Sequence, residues 1–146
     1  MRLLGLDIGE VRVGVALSDA SGTVASPHAV FDGRQLEHDL APLRAIVEAD
    51  GVSVLVVGLP VSMNGAEGAQ AARVRECASR WAAELGLTVV FVDERLTSVE
   101  ASRSVRAAGV DTKRQRGRLD MVAAALILQA YLDLQRSDVR KDDDGT

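Results

Sequence analysis

Cysteine and aromatic side chains are both scarce in this chain of 146 residues. Its one cysteine, Cys77, excludes an internal disulfide and a zinc site built from cysteines. The four aromatic residues, Phe31, Trp81, Phe91 and Tyr131, are too few to make a stacking platform for single-stranded bases. No run of 18 apolar residues occurs, which predicts no transmembrane helix and no membrane partner. Asp7 and Glu10 interrupt any apolar leader, so a signal peptide is not expected and the cytoplasm is the expected compartment. His28 and His38 lack metal-ligand spacing. A net charge of −4 does not suggest a general binder of polyanions. No internal repeat is visible.

What the chain does have is enough apolar residues, 47%, for one sizeable core. The expected organisation is a single domain over residues 1–136, followed by a flexible acidic tail at 137–146 containing Asp142, Asp143 and Asp144. Near the start, Arg2-Leu3-Leu4-Gly5-Leu6-Asp7-Ile8 is apolar on both parities: Leu4, Leu6 and Ile8 share one face, Leu3, Gly5 and Asp7 the other. Such a strand belongs in the middle of a covered sheet. A carboxylate there loses water and needs a cation, a hydrogen-bond network or a proton.

Strands at about 2–8, 11–18 and 22–31 are joined by short turns, which predicts an antiparallel meander. A helix is expected over roughly 35–49, then a buried parallel strand at Val54–Val57, a helix over about 67–85, and a second buried strand at Thr88–Val92. Thr97-Ser98-Val99-Glu100 fits a capping box, so a helix should start near 98, with Ala101, Val105 and Ala108 as its stripe. A basic, irregular stretch over 110–118 and a last helix over 119–136 complete the chain. The pattern predicts an α/β fold with a mixed five-stranded sheet and helices on both faces. Right-handed crossovers put the fourth strand beside the first and the fifth beyond it.

Open α/β sheets bind ligands at the carboxyl ends of their strands. Asp7 and Glu94 both fall at such ends, and Asp120 falls in the first turn of the last helix, on the side that should face the sheet. An aspartate in a first turn is also an ordinary dipole or cap residue, and either Asp93 or Glu94 could be the carboxylate that points inward. Three converging carboxylates would repel one another unless a cation joined them. Oxygen-only ligands suit Mg²⁺ or Mn²⁺, and two such ions are suited to phosphodiester hydrolysis.

Charge is unevenly distributed. Between Arg95 and Arg118 lie seven basic residues against Glu100 and Asp111, a local +5 that leaves −9 for the remainder of a chain whose total is −4. This arm leads straight into Asp120, so a phosphate backbone held there would lie beside the carboxylates. Arg12, Arg95, Lys113, Arg114, Arg116 and Arg118 are the candidate contacts to nucleic acid. The loop Gly58-Leu59-Pro60-Val61-Ser62-Met63-Asn64-Gly65 precedes a helix, where its backbone amides could hold a phosphate, but it is not a Walker loop, and a turn at Asn64-Gly65 accounts for much of it.

Four ordered motifs resemble those of the YqgF/RuvX family over residues 1–135. They are Gly5-Leu6-Asp7-Ile8-Gly9 with Arg12-Val13-Gly14-Val15-Ala16 and Ser18-Asp19; Val57-Gly58-Leu59-Pro60 with Asn64-Gly65-Ala66-Glu67-Gly68; Asp93-Glu94-Arg95-Leu96-Thr97-Ser98; and Asp120 with Ala123-Ala124 and Ile127-Leu128-Gln129. The resemblance implies an RNase H-like fold and a nuclease whose acidic triad is Asp7, Glu94 and Asp120, selecting Glu94 over Asp93. Members are described as Holliday junction resolvases and as nucleases maturing the 5′ end of pre-16S rRNA. Glu10 departs from the family's usual small or polar turn residue and adds negative charge near the site.

The leading expectation is a metal-dependent endonuclease of structured nucleic acid, processing pre-16S rRNA in ribosome biogenesis. Holliday junction resolution in DNA recombination and repair is the alternative, and symmetric cleavage of a junction would require a homodimer. An ATPase of the actin–hexokinase type also begins with an Asp-x-Gly turn, but it needs a second lobe for which 146 residues leave no room. A non-catalytic nucleic-acid-binding module would gain nothing from three carboxylates that repel phosphate.

Overall fold

The computed structural model describes residues 1–99 and 112–144, and of 139–144 the backbone course alone. The helix expected from residue 98, with Ala101, Val105, Ala108 and the basic residues Arg103 and Arg106, lies outside the described residues, apart from its first positions.

Three strands open the chain: β1 (Arg2–Ile8), β2 (Arg12–Ser18) and β3 (Ala25–Asp32). They pair antiparallel in sequence order, as their short turns demand. β4 (Val52–Leu59) joins the free side of β1 in parallel, and β5 (Thr88–Asp93) joins β4 in parallel. The order β3-β2-β1-β4-β5 is the mixed sheet expected from the sequence, with β1 at its centre. The helices are α1 (Gly33–His38), α2 (Ala41–Asp50), α3 (Ala69–Leu85) and α4 (Lys113–Asp144), and a 3₁₀ turn at Glu94–Leu96 follows β5.

Two local expectations are corrected. The single helix over 35–49 is two helices, broken at Asp39 and Leu40. Pro42 is the cause: its nitrogen cannot donate back to the preceding turn, so the chain restarts, with Pro42 in the first turn of α2 and Asp39 accepting from the Ala41 amide at 2.9 Å. The second correction concerns the basic stretch. Lys113, Arg114, Arg116 and Arg118 are not in an irregular loop but in the first turns of α4, which begins six residues before the expected 119 and runs on to Asp144. Arginine, lysine and glutamine are good helix formers, and nothing in 113–118 other than Gly117 opposes a helix.

The two faces of the sheet are covered differently. Leu4, Leu6, Ile8, Val13, Val15, Leu55 and Val57 pack with Leu36, Leu43, Val74, Ala78 and Trp81 beneath α1, α2 and α3. On the other face Leu3, Ala16, Val56 and Val92 meet Ala123, Ala124, Ile127, Leu128 and Leu132 of α4. Asp7 belongs to this second face, by the alternation of β1.

α4 lies unusually close to that face because the strands beneath it carry glycine. Gly5 packs under the helix so tightly that a Cβ there would stand 2.8 Å from Leu128 Cβ and 3.0 Å from the Ala124 carbonyl oxygen. At Gly14, the register partner of Asp7, a Cβ would collide with the carbonyl group of Asp120 itself. The helix is also fixed lengthwise. The Gln129 side chain accepts from the Ala25 amide at 2.9 Å and donates to the Thr23 carbonyl at 3.0 Å, which ties α4 to the start of β3. Among the described residues no helix is long and apolar enough to cross a membrane.

Gly14→Ala should therefore cost roughly 3 kcal/mol or more, at or above the upper end of ordinary overpacking, because backbone rather than a movable side chain blocks the new methyl. Gly68→Ala, where an added Cβ meets nothing within 4 Å, should cost less than about 1 kcal/mol. Urea melts of the two variants measure the difference, and equal stabilities would contradict the close approach.

Candidate active site

The site forms where three elements end on the α4 side of the sheet. Asp7 lies one residue from the end of β1, where the alternation that buries Leu3 and Gly5 turns its carboxylate toward α4. Glu94 is the first residue of the 3₁₀ turn after β5. Asp93 caps that turn by accepting from the Arg95 amide at 2.9 Å, and this change of direction sends the two neighbouring carboxylates to different places. Asp120 is not in the first turn of its helix, as the sequence suggests, but seven residues beyond the first residue of α4. The positive end of a helix acts only within its first turn, so a dipole role for Asp120 falls away.

Asp7, Glu94 and Asp120 are buried, with 7%, 5% and 5% of their surfaces exposed. All three line one cavity of about 410 Å³, together with Ile8, Gly9, Glu10, Val11, Arg12, Pro60 and Gln70. Gly58 makes room for Glu94: a Cβ at that position would stand 3.2 Å from its Oε1. Three carboxylates removed from water in one cavity carry a high electrostatic cost unless cations enter with them. One cation is built in. Arg12, the first residue of β2, donates from Nε to Asp120 Oδ2 at 2.6 Å, and its side chain keeps 23% of its surface exposed.

The donor set, the three buried carboxylates and the exposed Glu10 with no sulfur or imidazole, suits a hard divalent ion such as Mg²⁺ or Mn²⁺. Among the described residues, however, no three His, Cys, Asp or Glu side chains stand so that together they could hold a metal ion. The oxygens present fit such an ion in kind and in common location, with Arg12 standing on one of them.

The other residues singled out in the sequence do not line this cavity. Arg95 sits in a separate groove with Leu59, Val61, Gly65, Glu67, Arg75, Phe91 and Asp93. Its guanidinium grips Asp93, with Nη2 at 2.6 Å from Oδ2, and donates from Nη1 to the Met63 carbonyl at 3.3 Å. That ion pair holds the Asp93 carboxyl below the usual carboxylate range, and it pins the loop after Pro60 to the end of β5. Lys113, Arg114, Arg116 and Arg118 lie on the opening turns of α4, and all four are exposed. Arg116 precedes Asp120 by four residues, so the two share a side of the helix. Pro60 and Gln70 were not identified from the sequence. Gln70 is the second residue of α3, exposed and off that helix's apolar stripe, yet it lines the cavity.

Comparison with known proteins agrees with this architecture. Residues 1–134 match the family described as RuvX, Holliday junction resolvase. A protein of Moorella thermoacetica named "Putative pre-16S rRNA nuclease" is 49% identical over 133 residues, covering 91% of this chain and 95% of that protein. A protein of the same description from Anaplasma marginale is 41% identical, covering 92% of this chain and 86% of its own length. Among solved structures, Thermus thermophilus RuvC in complex with a Holliday junction substrate superposes with a TM-score of 0.57 at 16% identity, covering 92% of this chain and 96% of RuvC. A second structure of Thermus thermophilus RuvC gives a TM-score of 0.55 at 14% identity, covering 94% and 97%. Likeness at that identity speaks to the fold.

Cys77 stands apart from this chemistry. It is buried in α3 and donates from Sγ to Glu37 Oε1 at 3.2 Å. Burial, and then the Glu37 carboxylate, push its thiol up to about 12. A raised value leaves almost no thiolate at neutral pH, and the thiolate is the reactive form. A thiol reagent at pH 8 should label the native protein at least about a hundredfold more slowly than the urea-unfolded chain, a contrast that a colorimetric thiol assay reads directly.

Proposed function

The chain belongs to the RuvX family, described as Holliday junction resolvases, and we propose that it is a metal-dependent nuclease that hydrolyses phosphodiester bonds in structured nucleic acid and matures the 5′ end of pre-16S rRNA. Family and relatives are those of nucleic-acid-cleaving hydrolases. The observation that carries the proposal is the cavity in which three buried carboxylates, drawn from β1, the turn after β5 and α4, open beside an arginine.

In this reading Asp7, Glu94 and Asp120 are the catalytic carboxylates and the holders of the metal. Two Mg²⁺ or Mn²⁺ ions bound there would supply an activated water and a Lewis acid for the leaving oxygen. The chain's own residues do the rest. The sheet holds Asp7 in a fixed direction, the 3₁₀ turn aims Glu94, and the close packing of α4 on Gly14 places Asp120. Lys113, Arg114, Arg116 and Arg118, on turns that lead into Asp120, attract the phosphate backbone and give the binding its salt dependence. Arg12 contributes a guanidinium at the cavity itself. Arg95 acts on the substrate from the neighbouring groove, beside the loop it pins. The cytoplasm, where pre-rRNA is made, is the compartment of this activity.

Junction resolution is the second reading, favoured by the description of the family. It requires two copies acting symmetrically, whereas trimming an RNA end does not.

Asp7→Asn keeps the shape of the side chain and removes its charge. Cleavage of a pre-16S 5′-leader RNA in Mg²⁺ or Mn²⁺ should fall by at least about a hundredfold, while the thermal melt stays that of a folded protein. Full activity of that variant would remove Asp7 from the mechanism. Running the same assay on a four-way DNA junction separates the two substrates: faster cleavage of the junction, by a protein that sediments as a dimer, would favour resolution over RNA maturation. Replacing Arg114, Arg116 and Arg118 together with alanine should weaken binding and lower the slope of log affinity against log salt by about 0.7 to 0.9 for each phosphate no longer neutralised. An unchanged slope would exclude those turns of α4 as the substrate surface.

A further inference from the structure

On the metal-dependent reading proposed above, we infer that Arg12 is a positioning residue that caps Asp120 in the free protein and yields it when substrate phosphate arrives. Three observations meet here. Arg12 Nε stands 2.6 Å from Asp120 Oδ2, on one of the carboxylates that the proposed site uses. The three carboxylates share a cavity, and among the described residues they do not stand so that together they could hold a metal ion. Among the described residues the terminal Nη groups of Arg12 take no hydrogen bond, and the partly exposed side chain lines that same cavity.

The chemistry rests on the shape of a guanidinium. Its two Nη groups form a fork that matches the oxygens of a phosphate, whereas Nε alone makes one contact with Asp120. While Nε holds Oδ2, that oxygen is neutralised and sterically covered, and a divalent ion approaching it meets the positive charge of the arginine. A phosphodiester entering the cavity gives the guanidinium a second anion. Turning toward it takes the guanidinium off Asp120 Oδ2 and removes the arginine's repulsion from the cation's path. Because the two events are linked, whatever phosphate does to metal affinity through Arg12, metal does to phosphate affinity by the same factor. The consequence is a protein that binds its cation poorly until substrate is present.

The test uses the full chain and Mn²⁺ alone, with bound metal counted by electron paramagnetic resonance and no nucleic acid present. R12Q, which removes the charge, should bind Mn²⁺ about tenfold more tightly than the wild-type protein, the scale on which a neighbouring charge shifts a carboxylate's affinity for a cation. R12K, which keeps the charge, should stay within about twofold of wild type and still bind less tightly than R12Q. Equal or weaker Mn²⁺ binding by R12Q overturns the capping role, as does an R12K variant that binds as tightly as R12Q. D7N separates this from the underlying reading: loss of Mn²⁺ from D7N upholds the metal site, so that equal affinities in wild type and R12Q then count against Arg12 alone. If neither wild type nor R12Q binds Mn²⁺, the metal-dependent reading falls and takes the capping role with it. The phosphate half is read by filter binding of a four-way DNA junction in EDTA. R12Q should lower the salt slope by about 0.9, and an unchanged slope overturns the handover.

Discussion

Everything at the proposed site depends on how closely α4 can approach the sheet. A helix resting on ordinary β-branched residues would stand about 10 Å from the strands, the spacing of side chains packed face to face. Here the ridge of α4 meets Gly5 on β1 and Gly14 on β2, so helix backbone touches strand backbone. The carbonyl group that contacts Gly14 belongs to Asp120, and Gly14 is the register partner of Asp7. One steric fact thus sets the relation between two of the three carboxylates before any side chain is considered. Gln129, nine residues further along, stops the helix from sliding in that groove.

This arrangement places negative charge where water is scarce, and two of the carboxylates around it are held by arginine. Asp93, which lies beside Glu94 in the sequence, is neutralised by Arg95 in a separate groove. Asp120 has Arg12. The arginine paired with Asp120 also lines the cavity, so on the proposed reading one side chain serves both the packing of α4 and the substrate. The basic turns at the start of α4 add a longer-ranged attraction that salt would screen.

Much of this was legible in the sequence, and the parts that were not have physical reasons. Asp7 stood out because its strand is apolar on both parities, which only a doubly covered sheet explains. The sheet order came from turn lengths and crossover handedness. The choice of Glu94 over Asp93 could not be read from strand alternation, because the chain leaves the strand at Asp93 and a 3₁₀ turn re-aims Glu94. The start of α4 was hidden since Lys113 to Arg118 have no apolar stripe, and their helix is an extension of one that is anchored elsewhere. The break at Asp39 came from a single proline that an otherwise continuous apolar stripe masked. The bond between Arg12 and Asp120 joins positions 108 apart in sequence, and no local pattern announces such a partner.

That separation bears on the chain as it is made. Residue 7 leaves the ribosome well before residue 120, which follows it by 113 residues. Until α4 has emerged, the second face of the sheet lacks Ala123, Ala124, Ile127, Leu128 and Leu132, and the cavity lacks Asp120. Domains with such long-range closure are completed only after synthesis has passed their last packing element. On the proposed reading, Asp120 joins Asp7 and Glu94 only when α4 docks, so the acids of the site come together after the strand that carries the first of them has been made.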